Sequence, residues 1–137
     1  MASEFIWPVR VYYEDTDSGG VVYYANYLKF MERARTEWLR SLGYEQDILL
    51  QQEGIIFAVH SLQVDYHQAA CFNDMLSISA RLDDPGKASM TFIQKVIRDG
   101  DNTLLCSGRV KVACLDASTF RPRAIPGKML TEICSDH

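Results

Sequence analysis

The stretch Tyr13-Glu14-Asp15-Thr16-Asp17-Ser18-Gly19-Gly20-Val21-Val22-Tyr23-Tyr24-Ala25-Asn26-Tyr27 lies where one pattern gives way to another. Before it, β-forming residues crowd Phe5 to Tyr13. After it, from Tyr24 to Leu42, Tyr24, Tyr27, Leu28, Met31, Ala34, Trp38, Leu39 and Leu42 fall on one helical stripe. Between the two patterns stand three carboxylates and two glycines. Gly19 and Gly20 admit backbone conformations that other residues resist, which places Asp17 in a tight loop just ahead of a helix N-terminus. That end of a helix presents free N–H groups and partial positive charge. A carboxylate beside such a cluster suits attack on a carbonyl: one group supplies or activates a nucleophile, the other holds the oxyanion.

Outward from this stretch, the helical segment carries Lys29, Glu32, Arg33, Glu37 and Arg40 on its polar side, with Arg33 and Glu37 spaced for an i,i+4 pair. Gly43 fits its C-cap. Upstream, Phe5 to Tyr13 reads as a strand, and Pro8 assigns it to an edge or a strand start. Downstream, Glu45 to Gln52 reads as a short second helix. Four strand patterns then follow: Ile55 to His67, Met75 to Asp83, Ser89 to Arg98 and Thr103 to Asp116. Turn signals separate them at Asn73-Asp74, Pro85-Gly86 and Asp99-Gly100-Asp101-Asn102. Lys128 to Cys134 fits a last helical turn or two. One strand, a long helix and then four hairpin-linked strands specify an antiparallel α+β layer.

With 137 residues, 47% hydrophobic and 23% charged, the chain fits one globular domain. A net charge of −4 argues against a broad nucleic-acid surface. No apolar run reaches the ~20 residues of a membrane helix, and Met1 to Trp7 lacks the features of a secretory signal. Cys71, Cys106, Cys114 and Cys134 form no CxxC pair; they read as buried thiols of a reducing compartment, by default the cytoplasm.

Several chemistries compete for the loop. Asp15-x-Asp17-x-Gly19-Gly20 opens like a calcium loop, but its fifth position is Gly19 and its twelfth is Asn26, neither of them the expected ligand. An Asp-x-Asp phosphatase motif would need a less polar preceding strand than Tyr13-Glu14 supplies. A purely structural turn, with Asp15 or Asp17 capping the helix, remains open on residue types alone. Elsewhere, His60 and His67 lie in a strand pattern and His137 is terminal, where disorder is expected. No spacing suits a metal, and no Gly-x-Ser-x-Gly elbow is present. Asp65 and Asp74 read as strand or turn residues.

Asp15-Thr16-Asp17-x-x-Gly20-Val21-Val22-Tyr23-x-x-Asn26-Tyr27 resembles the signature of the hotdog-fold acyl-CoA thioesterases of the 4-hydroxybenzoyl-CoA thioesterase type. It is most similar to the small bacterial members associated with the Tol-Pal system. Trp7 to Glu14, Glu32 to Glu37, Asn73 to Leu76 and Pro122 to Pro126 match as well, so the likeness runs from Phe5 to Pro126. It implies a hotdog fold over residues 1–137, with a five-stranded antiparallel sheet wrapped around one long central helix. It also implies hydrolysis of acyl-CoA, or of acyl carrier protein thioesters, without metal or organic cofactor. By the resemblance, Asp17 is the catalytic carboxylate and the Tyr24 backbone N–H the oxyanion donor. Gly20 and Val21 would line the substrate site. Lys87, Ser89, Arg121 and Arg123 are the candidates for coenzyme A phosphates. Some relatives carry His at the position of Tyr24, a change that only a backbone role survives. Relatives pair their sheets edge to edge with sites at the seam, so a homodimer is expected at minimum and a homotetramer at rest. The rival functions are a non-hydrolytic acyl-CoA or acyl-carrier-protein binding module and a dehydratase drawing on His60 or His67.

Overall fold

A computed structural model describes residues 4–136, so the terminal His137 lies outside the described residues. The strands β1 (Phe5–Arg10), β2 (Ile55–Tyr66), β3 (Met75–Pro85), β4 (Ser89–Arg98) and β5 (Thr103–Asp116) form one antiparallel sheet. Their order is β1-β3-β4-β5-β2. The helices are α1 (Asn26–Ser41), α2 (Gln46–Glu53) and α3 (Gly127–Asp136). The sheet curls around α1 in the hotdog arrangement that the resemblance implied.

Helix α1 lies on the sheet because its stripe is apolar and large. Tyr27, Phe30, Met31, Ala34, Trp38 and Leu39 are buried, facing Leu76, Ile78, Ala80 and Leu82 of β3 and Phe92 and Val96 of β4. The Trp38 ring meets Phe92 edge-on, 5.3 Å between centroids at 83°. Full burial of one such side chain is worth about 1.5–3 kcal/mol, so this stripe belongs to the core. Met31 rides directly over Gly108 of β5: a Cβ there would stand 3.3 Å from the Met31 thioether. The helix ends at the expected place, where Gly43 and Tyr44 donate their N–H groups to the carbonyls of Arg40 and Leu39.

Some expectations are corrected. The helix starts at Asn26 and not at Tyr24, because Asn26 N–H closes a turn on the Tyr23 carbonyl at 2.8 Å. Tyr24 therefore leaves the buried stripe and is 61% exposed, while Phe30, which the stripe omitted, is buried. Glu37 pairs with Arg40, which also reaches Glu45, while the Arg33 guanidinium lies over the Phe30 ring. Two of the four thiols are exposed, Cys71 in the β2–β3 connection and Cys134 on α3 away from its buried Met129 and Ile133. Cys106 and Cys114 are buried, and burial pushes the Cys106 thiol up to about 12.

The two sheet edges differ. β1 is short and carries Pro8, which blunts it. β2 is a twelve-residue edge, with a bulge at His60 between Val59 and Ser61. Among the described residues no helix is long and apolar enough to cross a membrane.

Candidate active site

The loop from Tyr12 to Asn26 is fixed at many points. A 3-10 turn, Tyr13–Asp15, opens it. Asp15 Oδ2 accepts the Tyr12 N–H at 2.8 Å, and the Asp15 carbonyl accepts both Tyr23 N–H and Asn26 Nδ2, each at 2.9 Å. Asp15 thus ties the loop's entry to its exit. Thr16 bridges Val22, and Val21 bridges Cys71. The Val22 N–H donates to the Ala70 carbonyl at 2.8 Å, and the Ala70 N–H donates to the buried Tyr27 hydroxyl at 2.9 Å.

Asp17 sits at the tip. Its N–H donates to Val21 O at 2.9 Å, and its carbonyl accepts Gly20 N–H at 3.0 Å. Oδ1 accepts Gly19 N–H at 2.8 Å. Oδ2 has no partner among the described residues, so one carboxylate oxygen is anchored and the other is available. Gly20 holds φ +81°, which side chains resist, although a Cβ there would meet nothing within 4 Å. Backbone geometry is what requires this glycine. Neither Asp15 nor Asp17 caps α1, whose N-cap is Ala25 without a side-chain bond. The Tyr24 N–H donates to no group among the described residues. The Tyr24 carbonyl accepts the Tyr66 hydroxyl at 3.0 Å, which pins that peptide. The Tyr23 and Tyr24 rings lie 4.9 Å apart. The hydroxyl contact with Tyr24 holds the Tyr23 phenol above its ordinary pKa, and the nearby Asp17 charge acts in the same direction.

A cleft of about 280 Å³ opens beside this peptide, walled by Val22, Tyr24, Tyr27, Tyr66, Gln68 and Ala69. Tyr66 meets Tyr24 and Tyr27 edge-on, with centroids at 6.1 and 5.6 Å. The walls are thus mainly aromatic, and the Tyr24 backbone N–H beside them has no partner among the described residues. That combination holds an apolar group while a carbonyl oxygen meets a donor. His67 reaches the same cleft, but its Nε2 lies 3.0 Å from Ser107 Oγ, a residue on the sheet face opposite α1. His60 sits exposed in the bulge of β2. Among the described residues no three His, Cys, Asp or Glu side chains could jointly hold a metal ion.

The basic candidates gather at another place. The Lys87 carbonyl accepts Ile125 N–H, and Arg121 lies beside the β5 terminus, its carbonyl accepting Asp116 N–H. Arg123 donates to Gly54 O at 3.2 Å and pairs with Asp116 at 3.5 Å. Ser89 begins β4, and its carbonyl accepts Gly86 N–H at 2.7 Å. All four therefore cluster where β2 begins, whereas Asp17, Gly20, Val21 and Tyr24 lie where β2 ends. Twelve residues of strand separate the two ends, roughly 35 Å at ~3.3 Å per residue. Within one chain the carboxylate and the basic cluster do not meet. Sequence reading passed over Tyr66 and Ala70 as loop-fixing residues. Tyr66 reaches Tyr24 across 42 positions, and no local spacing signals such a contact.

A family model described as the thioesterase-like superfamily matches residues 11–133. The acyl-CoA thioesterase YbgC of Haemophilus influenzae is 47% identical over 89% of this chain and 88% of its own length. The acyl-CoA thioester hydrolase YbgC of Escherichia coli O6:H1 is 44% identical over 93% of this chain and 94% of its own. The crystal structure of a probable thioesterase from Bartonella henselae superposes with a TM-score of 0.85 at 30% identity, covering 90% of this chain and all of that one.

Proposed function

Since this chain belongs to the thioesterase-like superfamily, we propose that it hydrolyses acyl-CoA thioesters to a free acid and coenzyme A. The observation that carries the reading is a single loop that fixes the Asp17 carboxylate through Gly19 and, seven residues on, leaves the Tyr24 N–H unengaged beside an aromatic cleft. Asp17 is the catalytic carboxylate. By one route Oδ2 attacks the thioester carbon, the C–S bond breaks, the thiolate departs, and water cleaves the resulting mixed anhydride. By the other, Asp17 takes a proton from a water that attacks directly. In both, the Tyr24 N–H donates to the developing oxyanion, which is the largest kind of electrostatic assistance open to such a site. Gly20 and Val21 keep the loop backbone close to the substrate. One turnover in H₂¹⁸O with excess enzyme probes the routes: label in Asp17 requires a mixed anhydride opened at the Asp17 carboxyl carbon, whereas water attack on the acyl carbon places the label in the product acid.

Coenzyme A phosphates are held by Lys87, Ser89, Arg121 and Arg123. This reading includes an edge-to-edge dimer, in which antiparallel pairing of two β2 strands sets the Asp17 end of one copy beside the basic cluster of the other; the long unpaired β2 edge supports it. The working unit is then a homodimer, assembling into a homotetramer, in the cytoplasm. Acyl carrier protein is the second acyl donor in this reading. Thiol release from a panel of acyl-CoA and acyl-carrier-protein thioesters tests the activity; binding without release would make the protein a non-hydrolytic acyl-CoA binding module instead.

A further inference from the structure

Phe120 occupies a backbone position that phenylalanine ordinarily avoids. Its φ is +57°, in the left-handed region. Among the described residues the others that carry a side chain at positive φ are Asn73 and Asn102, and asparagine tolerates that region far better. The turn that follows β5 imposes the conformation. The Asp116 carbonyl accepts Phe120 N–H at 2.8 Å, and Asp116 Oδ1 accepts the N–H groups of Ser118 and Thr119 at 2.9 and 3.1 Å. The Arg121 carbonyl then accepts Asp116 N–H at 2.8 Å, which closes the turn. Glycine or asparagine is the usual occupant where a helical turn ends in this way.

The ring gains no burial in return. Phe120 is 65% exposed and meets no other ring among the described residues. The exposed Phe72, by contrast, is stacked on Tyr13 with centroids 3.8 Å apart. Backbone strain that packing does not offset is a mark of function. The neighbouring charges give the chemistry. Arg121 follows Phe120 directly, and Lys87 is tied to the same tail segment, its carbonyl accepting Ile125 N–H at 2.7 Å. Arg123 pairs with Asp116, whereas Arg121 and Lys87 are exposed and enter no ion pair among the described residues. A fixed, uncovered aromatic face beside two unpaired cations matches a ligand that joins a flat heteroaromatic base to phosphates. Bases stack on aromatic side chains, and cations hold the phosphate groups.

Resting on the coenzyme A reading above, we infer that Phe120 is the surface on which the adenine ring of coenzyme A stacks. Its left-handed backbone holds the ring out from the fold while Arg121 and Lys87 take the phosphates. The protein then recognises the nucleotide half of its substrate by the base as well as by charge, and favours coenzyme A over a donor that carries only phosphopantetheine.

The test is calorimetric titration of the full chain with coenzyme A and, separately, with phosphopantetheine, which lacks the adenosine. Phe120→Leu keeps apolar bulk without a π-face, and Phe120→Asn removes the ring at a backbone position that asparagine accepts. Each should raise Kd for coenzyme A on the order of 10-fold and leave Kd for phosphopantetheine unchanged. Phe120→Trp should bind coenzyme A at least as tightly as the wild type. Adenine absorbance should fall on binding to the wild type and not on binding to Phe120→Leu. A wild type that prefers coenzyme A while Phe120→Leu and Phe120→Asn keep that preference overturns the stacking and leaves the basic cluster standing. A wild type that binds the two ligands equally, or binds neither, overturns the coenzyme A reading of the cluster and this inference together. Thermal melts give a readout of opposite sign: Phe120→Asn should hold or raise Tm while it loses coenzyme A affinity. A Tm that falls would make the ring a packing residue and overturn the inference.

Discussion

Removing one oxygen, in Tyr27→Phe, should release the loop from Tyr12 to Asn26. Tyr27 is 3% exposed and Ala70 is wholly buried. The Tyr27 hydroxyl accepts Ala70 N–H at 2.9 Å, and the Ala70 carbonyl receives Val22 N–H at 2.8 Å. Phenylalanine fills the same space but leaves the Ala70 N–H without an acceptor and without water. An orphaned buried donor costs about 1–3 kcal/mol. For a chain of this size that lowers Tm by on the order of 3–10 °C. Tyr66→Phe removes a hydroxyl of similar geometry at a site 46% exposed, where water replaces the lost partner. Its cost should stay below ~1 kcal/mol, near the net worth of an ordinary hydrogen bond. Urea unfolding of both variants, with amide exchange at Ala70 and Val22, measures the difference. The Tyr27→Phe midpoint should fall well below that of Tyr66→Phe at unchanged m, with faster exchange at both amides. Equal midpoints, or unchanged exchange, would refute the reasoning that Tyr27 anchors the loop.

Alanine at Lys87, Arg121 and Arg123 together should raise KM for acyl-CoA far more than it lowers kcat; the effect should shrink at high salt and vanish with pantetheine thioesters. Equal KM values for the two substrates would make these side chains solvent decoration. Asp15→Asn should lower Tm more than turnover, because the Asp15 carboxylate holds the Tyr12 N–H at 2.8 Å; thermal melts beside steady-state rates check this. The Arg98 guanidinium and Thr103 depress Asp101 from an ordinary 3.8 to about 2. A carboxyl depressed on folding contributes stability above its unfolded pKa and loses it as pH falls through the folded one. The Tm gap between wild type and Asp101→Asn should therefore be widest above pH 4 and close toward pH 2, read by melts across that range.

Much of this was legible in the sequence because the signals were local. Hydrophobic period located α1 and all five strands, and Gly, Pro, Asn and Asp marked the turns between them. The stretch Asp15 to Asn26 identified the loop by residue type and spacing. The different placement of its two aspartates was readable too: Asp15 ties down the loop entry, and Asp17 sits beside the glycines. Long-range geometry was not legible. Tyr24 fits the helical period, yet the turn closed by Asn26 excludes it from the helix. Tyr27 looked like any core aromatic until its hydroxyl met Ala70, 43 positions away. Lys87 and Arg123 share one end of the sheet and Asp17 another because of strand order, which periodicity does not encode.

The central claim is that Asp17 performs the chemistry and the Tyr24 peptide receives the oxyanion. Single-turnover hydrolysis of one acyl-CoA by Asp17→Asn, with circular dichroism as the folding control, tests it most directly. The substitution keeps the Gly19 contact available while removing the basic, nucleophilic oxygen. The account predicts a folded protein that still binds substrate but hydrolyses it on the order of 10²–10⁴ more slowly. A folded Asp17→Asn enzyme that turns over at the wild-type rate would contradict it.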